Sequence, residues 1–137
     1  MNLRTGLLTY LIALPVFFAI DMIWLGWLAV DFYQHHIGHL LGPVNWLAAA
    51  LFYLLFIAGI VLFAVRPGLQ FGTAKQAALW GGLYGFFTYA TYDLTNMATL
   101  QGWPWTVVIA DILWGVVLCG SVAYVTCRIA AKLVIRS

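Results

Sequence analysis

The sequence predicts an all-α fold: a four-helix transmembrane bundle with its N and C termini cytoplasmic. Three observations predict it. Of the 137 residues, 65% are hydrophobic and only 7% charged, against about 25% charged in soluble domains. Four apolar segments, roughly 7–30, 44–65, 77–96 and 106–127, each approach the ~20 residues that cross a bilayer core. All Lys and Arg residues fall on one side of these segments, which sets the orientation. The length suits one integral membrane domain over residues 1–137, without a separate soluble unit.

The first segment follows Arg4 and runs through Trp24 and Trp27 to Val30. That exceeds the apolar core of about 7–15 residues in a signal peptide, and no small-x-small cleavage site follows. It reads as a retained helix, and Pro15 should bend it unless neighbours satisfy the freed carbonyl. Pro43 and Pro104 stand where the first turns of the second and fourth helices tolerate a missing N–H. Thr73 and Gln76 have capping-box spacing before the third helix. Gly81 and Gly85 form a small-xxx-small pair, with Gly82 between them, that lets another helix approach closely. Beyond them the third segment turns polar, through Thr88, Tyr89, Thr91, Tyr92, Asp93, Thr95 and Asn96. Lipid should reject that end, so it is expected to be enclosed by protein, beside water or unwound. Cys119 and Cys127, about 12 Å apart along the fourth helix, read as small packing residues.

Arg4, Arg66, Lys75, Arg128, Lys132 and Arg136 define the cytoplasmic side, and the first and third connections hold no Lys or Arg. So complete a bias disfavours an antiparallel dual-topology dimer. The formal net charge is +2, without a basic, aromatic-interleaved patch, which excludes nucleic acid as a partner. The partner the composition implies is membrane lipid. A homodimer is implied only where four helices must build a transport pathway.

Asp21, Asp93 and Asp111 lie inside the apolar segments, where a carboxylate is costly and needs a partner, a proton or a purpose. Counting from the helix ends places all three roughly 5–15 Å below the outer boundary. The lysines and arginines are on the opposite side, so the layer has no fixed counter-charge. The acids then share protons, are protonated and bond to Trp, Tyr, Thr and Asn, bind a cation, a metal or a proton-donating ligand, or pair with histidine. Asp21 with Trp24, and Asp111 with Trp114, are spaced to present an acid and an indole on one helical face. Trp46, Trp103 and Trp105 read instead as interfacial belt residues. His35, His36 and His39 fall in the first outer connection, and His35 and His39 share a face if it is helical. They are the weak metal candidates. No recognised ligand motif accompanies them, so the expected metal is none, and the sequence names no cofactor.

These residues resemble a small bacterial membrane protein family, domain of unknown function 2177. The resemblance rests on Asp21-x-x-Trp24-Leu25-Gly26, Ile37-Gly38-His39-Leu40-Leu41, Thr91-Tyr92-Asp93-Leu94-Thr95-Asn96, Trp103-Pro104 and Asp111-x-x-Trp114-Gly115. It covers essentially the whole chain, implies four membrane helices and singles out His39 among the histidines. It implies no particular reaction.

Three readings of function stay open. One is an acidic, aromatic pocket facing the outer leaflet that binds, or binds and modifies, a lipid-like or small amphiphilic ligand. In it Asp93 is the general acid or base, Asp21 and Asp111 tune it, Trp24, Tyr92 and Trp114 wall the ligand, and Thr95, Asn96 and His39 contact its polar groups. The second is a proton- or cation-coupled transporter. The third is a structural or accessory membrane protein in which the acids join helices. A serine hydrolase is disfavoured, because Ser121 and Ser137 both lie toward the cytoplasmic side.

Overall fold

A computed structural model describes residues 1–134; Arg136, one of the orienting charges, lies outside the described residues. The fold is all-helical, with no strand among the described residues. Helix α1 (Leu3–Ile23) continues as a π-helical turn, Trp24–Leu28, and short α2 (Val30–Ile37) follows. A 3₁₀ turn at Gly38–Leu40 leads to α3 (Trp46–Ile60), which runs through a second π-helical turn, Val61–Val65, into α4 (Arg66–Phe71). Helices α5 (Ala74–Thr99) and α6 (Trp105–Leu133) complete the chain. Three continuous helices are long and apolar enough to cross a membrane: Leu3–Leu28, Trp46–Phe71 and Trp105–Leu133. Helix α5 matches them in length at 26 residues, about 39 Å, but its glycines and polar end make it less apolar.

The helix ends show local causes. The Thr73 hydroxyl accepts from the Gln76 amide at 3.2 Å and caps α5. The reciprocal half of the capping box is absent, because the Thr73 amide instead donates to the Gly68 carbonyl. Gly72, at φ 81°, supplies the left-handed residue that ends α4. Pro43 stands ahead of α3 rather than in its first turn; Asn45 caps that helix by accepting from the Ala48 amide at 3.1 Å. Pro104 occupies the cap position just before α6. Helix α1 runs through Pro15, and its departure from α geometry comes later, at the π-helical turn. Replacing Thr73 with Ala removes the α5 cap and should cost about 1 kcal/mol. Thermal unfolding in detergent, followed by circular dichroism, reads it; an unchanged midpoint would contradict the cap.

Helices α1, α3, α5 and α6 share one apolar core built on Phe17, Ile57, Ile60, Leu118 and Val122. The α5–α6 contact is the tightest. A Cβ at Gly81 would meet the Cys119 carbonyl and the Ala123 Cβ, and one at Gly85 would meet the Gly115 carbonyl. The glycine pair therefore brings two backbones together, as its spacing predicts. Cys119 and Cys127 are buried free thiols, and Cys119 fills this seam.

The polar end of α5 departs from two of its three expectations, enclosure and unwinding. It neither unwinds nor is enclosed: α5 stays helical to Thr99, and of the run from Thr91 to Asn96 only Asp93 is buried. The Thr88, Thr91 and Thr99 hydroxyls donate to the Tyr84, Phe87 and Thr95 carbonyls at 2.7, 2.6 and 2.9 Å. These back-bonds satisfy the hydroxyls within the helix itself.

Candidate functional site

The site forms where the first and third connections meet. A second apolar cluster, Ile37, Trp103, Val107 and Val108 with Phe32 and Ile112 against it, holds α2 onto the start of α6. The His39 ring lies against Gly102, whose added Cβ would stand 3.0 Å from Nε2. Below this cap all three aspartates are buried, at 3% exposure for Asp21, 0% for Asp93 and 6% for Asp111.

Each acid is engaged by neutral donors. The Trp114 indole N–H points at Asp21 Oδ1 from 3.4 Å, and the Tyr53 hydroxyl stands beside the same carboxyl. The Trp24 indole N–H donates to the Tyr33 hydroxyl at 2.9 Å, and that hydroxyl donates to Asp111 Oδ1. The Trp103 indole N–H donates to Asp93 Oδ1 at 3.2 Å. The Asp93 and Asp111 side chains face each other within hydrogen-bonding reach. Asp93 Oδ2 is fully buried without a donor from any described residue. Burial first, then the facing Asp111 carboxyl, pushes the Tyr33 phenol well above its ordinary range, so Tyr33 acts as a donor across the physiological range.

The two Asp-x-x-Trp motifs therefore exchange partners. Trp114, three residues from Asp111 on α6, serves Asp21 on α1; Trp24, three residues from Asp21, serves Asp111 through Tyr33. The two indoles stack face to face, with centroids 4.9 Å apart and planes 12° from parallel. The π-helical turn begins at Trp24. Such turns alter the angular spacing of side chains and recur at functional sites.

Beside this network opens a cavity of about 640 Å³. Asp21 and Asp111 reach its surface with Trp24, Tyr33, Tyr53, Tyr89, Tyr92, Trp103 and Trp114. Leu25, Val30, Ile37, Phe52 and Phe56 form apolar walls, and no Lys, Arg or His is among the lining residues.

Four expectations change. Asp93 does not line the cavity but lies behind Asp111. His39, Thr95 and Asn96 also stand outside it; the Asn96 side chain stands beside Tyr92. The histidines do not share a helix face, because α2 ends at Ile37 and His39 sits in the 3₁₀ turn. The His36 ring is engaged by the Phe32 carbonyl at 2.9 Å. Among the described residues no three His, Cys, Asp or Glu side chains converge as a metal site. Trp103 is not a belt residue: it is 9% exposed and bonded to Asp93, whereas Trp46 is 76% exposed. Sequence reasoning missed Trp103, Tyr33, Tyr53 and Tyr89 as parts of the site. The only available signal was their aromatic character near the acids' depth.

A curated relative, the fluoride-specific ion channel FluC of Magnetococcus marinus, is 31% identical over 70 residues. The match covers 50% of this chain and 57% of that protein, so the chain spans little more than half the relative's length. No solved structure matches. The family described as predicted membrane protein (DUF2177) matches residues 6–128, and the chain belongs to this family.

Proposed function

We propose that this chain is a multi-pass protein of the cytoplasmic membrane whose cavity faces the outer leaflet and binds a lipid-like or small amphiphilic ligand. Helix α5 is the fourth span, and both termini are cytoplasmic. Arg4, Arg66, Lys75, Arg128 and Lys132 stand toward the end opposite the cavity, and the connections that cap the cavity hold no Lys or Arg, in line with the positive-inside rule. Exposed Leu, Phe and Trp side chains on α1, α3 and α6 face lipid in this arrangement.

The observation that carries the reading is the cavity itself: a concave, mostly apolar space with a few polar groups, in the size range of ligand sites, about 300–1,000 Å³. Any group transfer on the ligand falls to Asp111 or Asp21, which reach the cavity, while Asp93 supports Asp111 from behind. Native mass spectrometry of the purified protein tests the binding. The expected result is a co-purifying amphiphile; a dry, unliganded cavity after extraction from native membranes counts against it.

The FluC relative favours a second reading, ion transport. The acids suit a proton or cation rather than an anion, since the cavity presents carboxyls and no cationic side chain. Four helices would then work as a homodimer. Flux into liposomes, with Asp21, Asp93 and Asp111 each changed to Asn, tests this; flux equal to that of the parent protein rejects it. The mutual bonding of the acids also supports a structural role, which predicts loss of assembly in the same variants without a separate loss of binding.

A further inference from the structure

We propose that the cavity selects a ligand with a positively charged ammonium head on an apolar body. This rests on the ligand-binding reading above and specifies the charge of what is bound. The first argument is the balance of charge at the site. Three aspartates lie within one network, and every donor to them is neutral: three indole N–H groups, directly or through Tyr33, and the Tyr33 and Tyr53 phenols. Neutral donors stabilise a carboxylate without cancelling its charge. A cation is the chemical class this set lacks.

The second argument is the orphaned atom. Asp93 Oδ2 is fully buried and has no donor from the described residues, and the Asp93 side chain faces the Asp111 carboxyl. Two acceptors facing each other share a proton, and a pair that shares one proton still carries one negative charge. Asp93 is enclosed by Trp103, and the titratable groups that face the pair are Tyr33 from α2 and Tyr92 and Tyr89 from α5 itself, with Asp21 on α1 as a further acid. None brings a positive charge.

The third argument is free coordinating capacity at the cavity surface. A carboxylate offers about four acceptor sites. Asp21 uses at most two, for Trp114 and the neighbouring Tyr53 hydroxyl, and Asp111 uses those facing Tyr33 and Asp93. The remaining sites, with the π faces of the surrounding indoles and phenols, suit an ammonium group, which aromatic faces attract by about 0.5–2 kcal/mol each. The Leu25, Val30, Ile37, Phe52 and Phe56 walls take the apolar body. An anionic head would face the Asp21 and Asp111 carboxyls with no Lys, Arg or His in the lining to balance it.

The test uses the whole chain in nanodiscs of phosphatidylglycerol, titrated with dodecyltrimethylammonium, dodecanol, laurate and tetramethylammonium while tryptophan emission is followed. The expected result is a saturable change with dodecyltrimethylammonium at an affinity about tenfold or more above the neutral and anionic chains. Tetramethylammonium, which lacks the chain, should bind more weakly. Asp21→Asn with Asp111→Asn, checked for native helicity, should remove the preference for the ammonium. Dodecanol or laurate binding as tightly as the ammonium overturns the charge assignment and leaves the amphiphile pocket standing. No saturable change with any probe overturns both. Adding phosphatidylethanolamine to the discs separates the sources: competition assigns the ammonium to a lipid headgroup, and no competition assigns it to a free amine.

Discussion

Asp93→Asn will keep stability within about 1 kcal/mol of the parent protein, whereas Asp93→Ala will lose about 1–3 kcal/mol. The contrast follows from the bonds Asp93 makes. Its Oδ1 accepts from the Trp103 indole, its Oδ2 has no donor among the described residues, and its side chain faces Asp111. An Asn carbonyl still accepts from Trp103, and its amide gives Asp111 the hydrogen that a shared proton supplies in the parent. Alanine strands a buried indole N–H and removes the partner of a buried acid, so the desolvation of both goes uncompensated. Unfolding by denaturing detergent in mixed micelles gives both values. If Asn is as damaging as Ala, a positive charge rather than a proton joins the two acids, and the shared-proton account is wrong.

The partners of Asp93 could have been read from the sequence by a rule simpler than motif matching. Helices α5 and α6 are joined by a short turn, and residues equally far from Gly102 meet across it. Asp93 and Asp111 stand nine residues either side of Gly102, Tyr89 and Gly115 thirteen, and Gly85 and Cys119 seventeen. The Gly85–Cys119 and Gly115–Tyr89 contacts confirm this register. Apolar length, the Thr73 cap and the glycine seam were legible because each depends on residues a turn or two apart. The exchange between Asp21–Trp114 and Trp24–Tyr33–Asp111 was not. An i, i+3 spacing says that two side chains share a face of one helix, not which neighbour that face meets. Trp103 was misread for a related reason: a connection residue looks interfacial until a returning loop, here Ile37 and the His39 turn, covers it. Thr88, Thr91 and Thr99 of α5 misled in the opposite way, since their hydroxyls are satisfied within the helix and need no enclosure.

The same register makes Gly85 the most sensitive position away from the acids. Gly85→Ala is expected to cost about 1–3 kcal/mol, the usual penalty for overpacking, and Gly85→Val more. The new Cβ would meet the Gly115 carbonyl, which is backbone and cannot rotate away, with the Cys119 Cβ beside it at 3.0 Å. The helices must separate, and the separation is carried along a rigid hairpin toward the acids. Gly85 is eight residues from Asp93, about 12 Å along the helix. Opening the seam there pulls Asp93 from Asp111 and loosens Tyr89, which packs on Gly115. Gly82→Ala is the control: three residues earlier on the same helix, its Cβ would lie 3.5 Å from a Val116 methyl, an ordinary contact, and stability should hold. Thermal unfolding of both variants in detergent reads the stability difference. Ligand titration at a temperature where both are folded reads the effect on the site. If Gly85→Ala is destabilised but binds as the parent does, the α5–α6 separation supports the fold without setting the geometry of the acid pair.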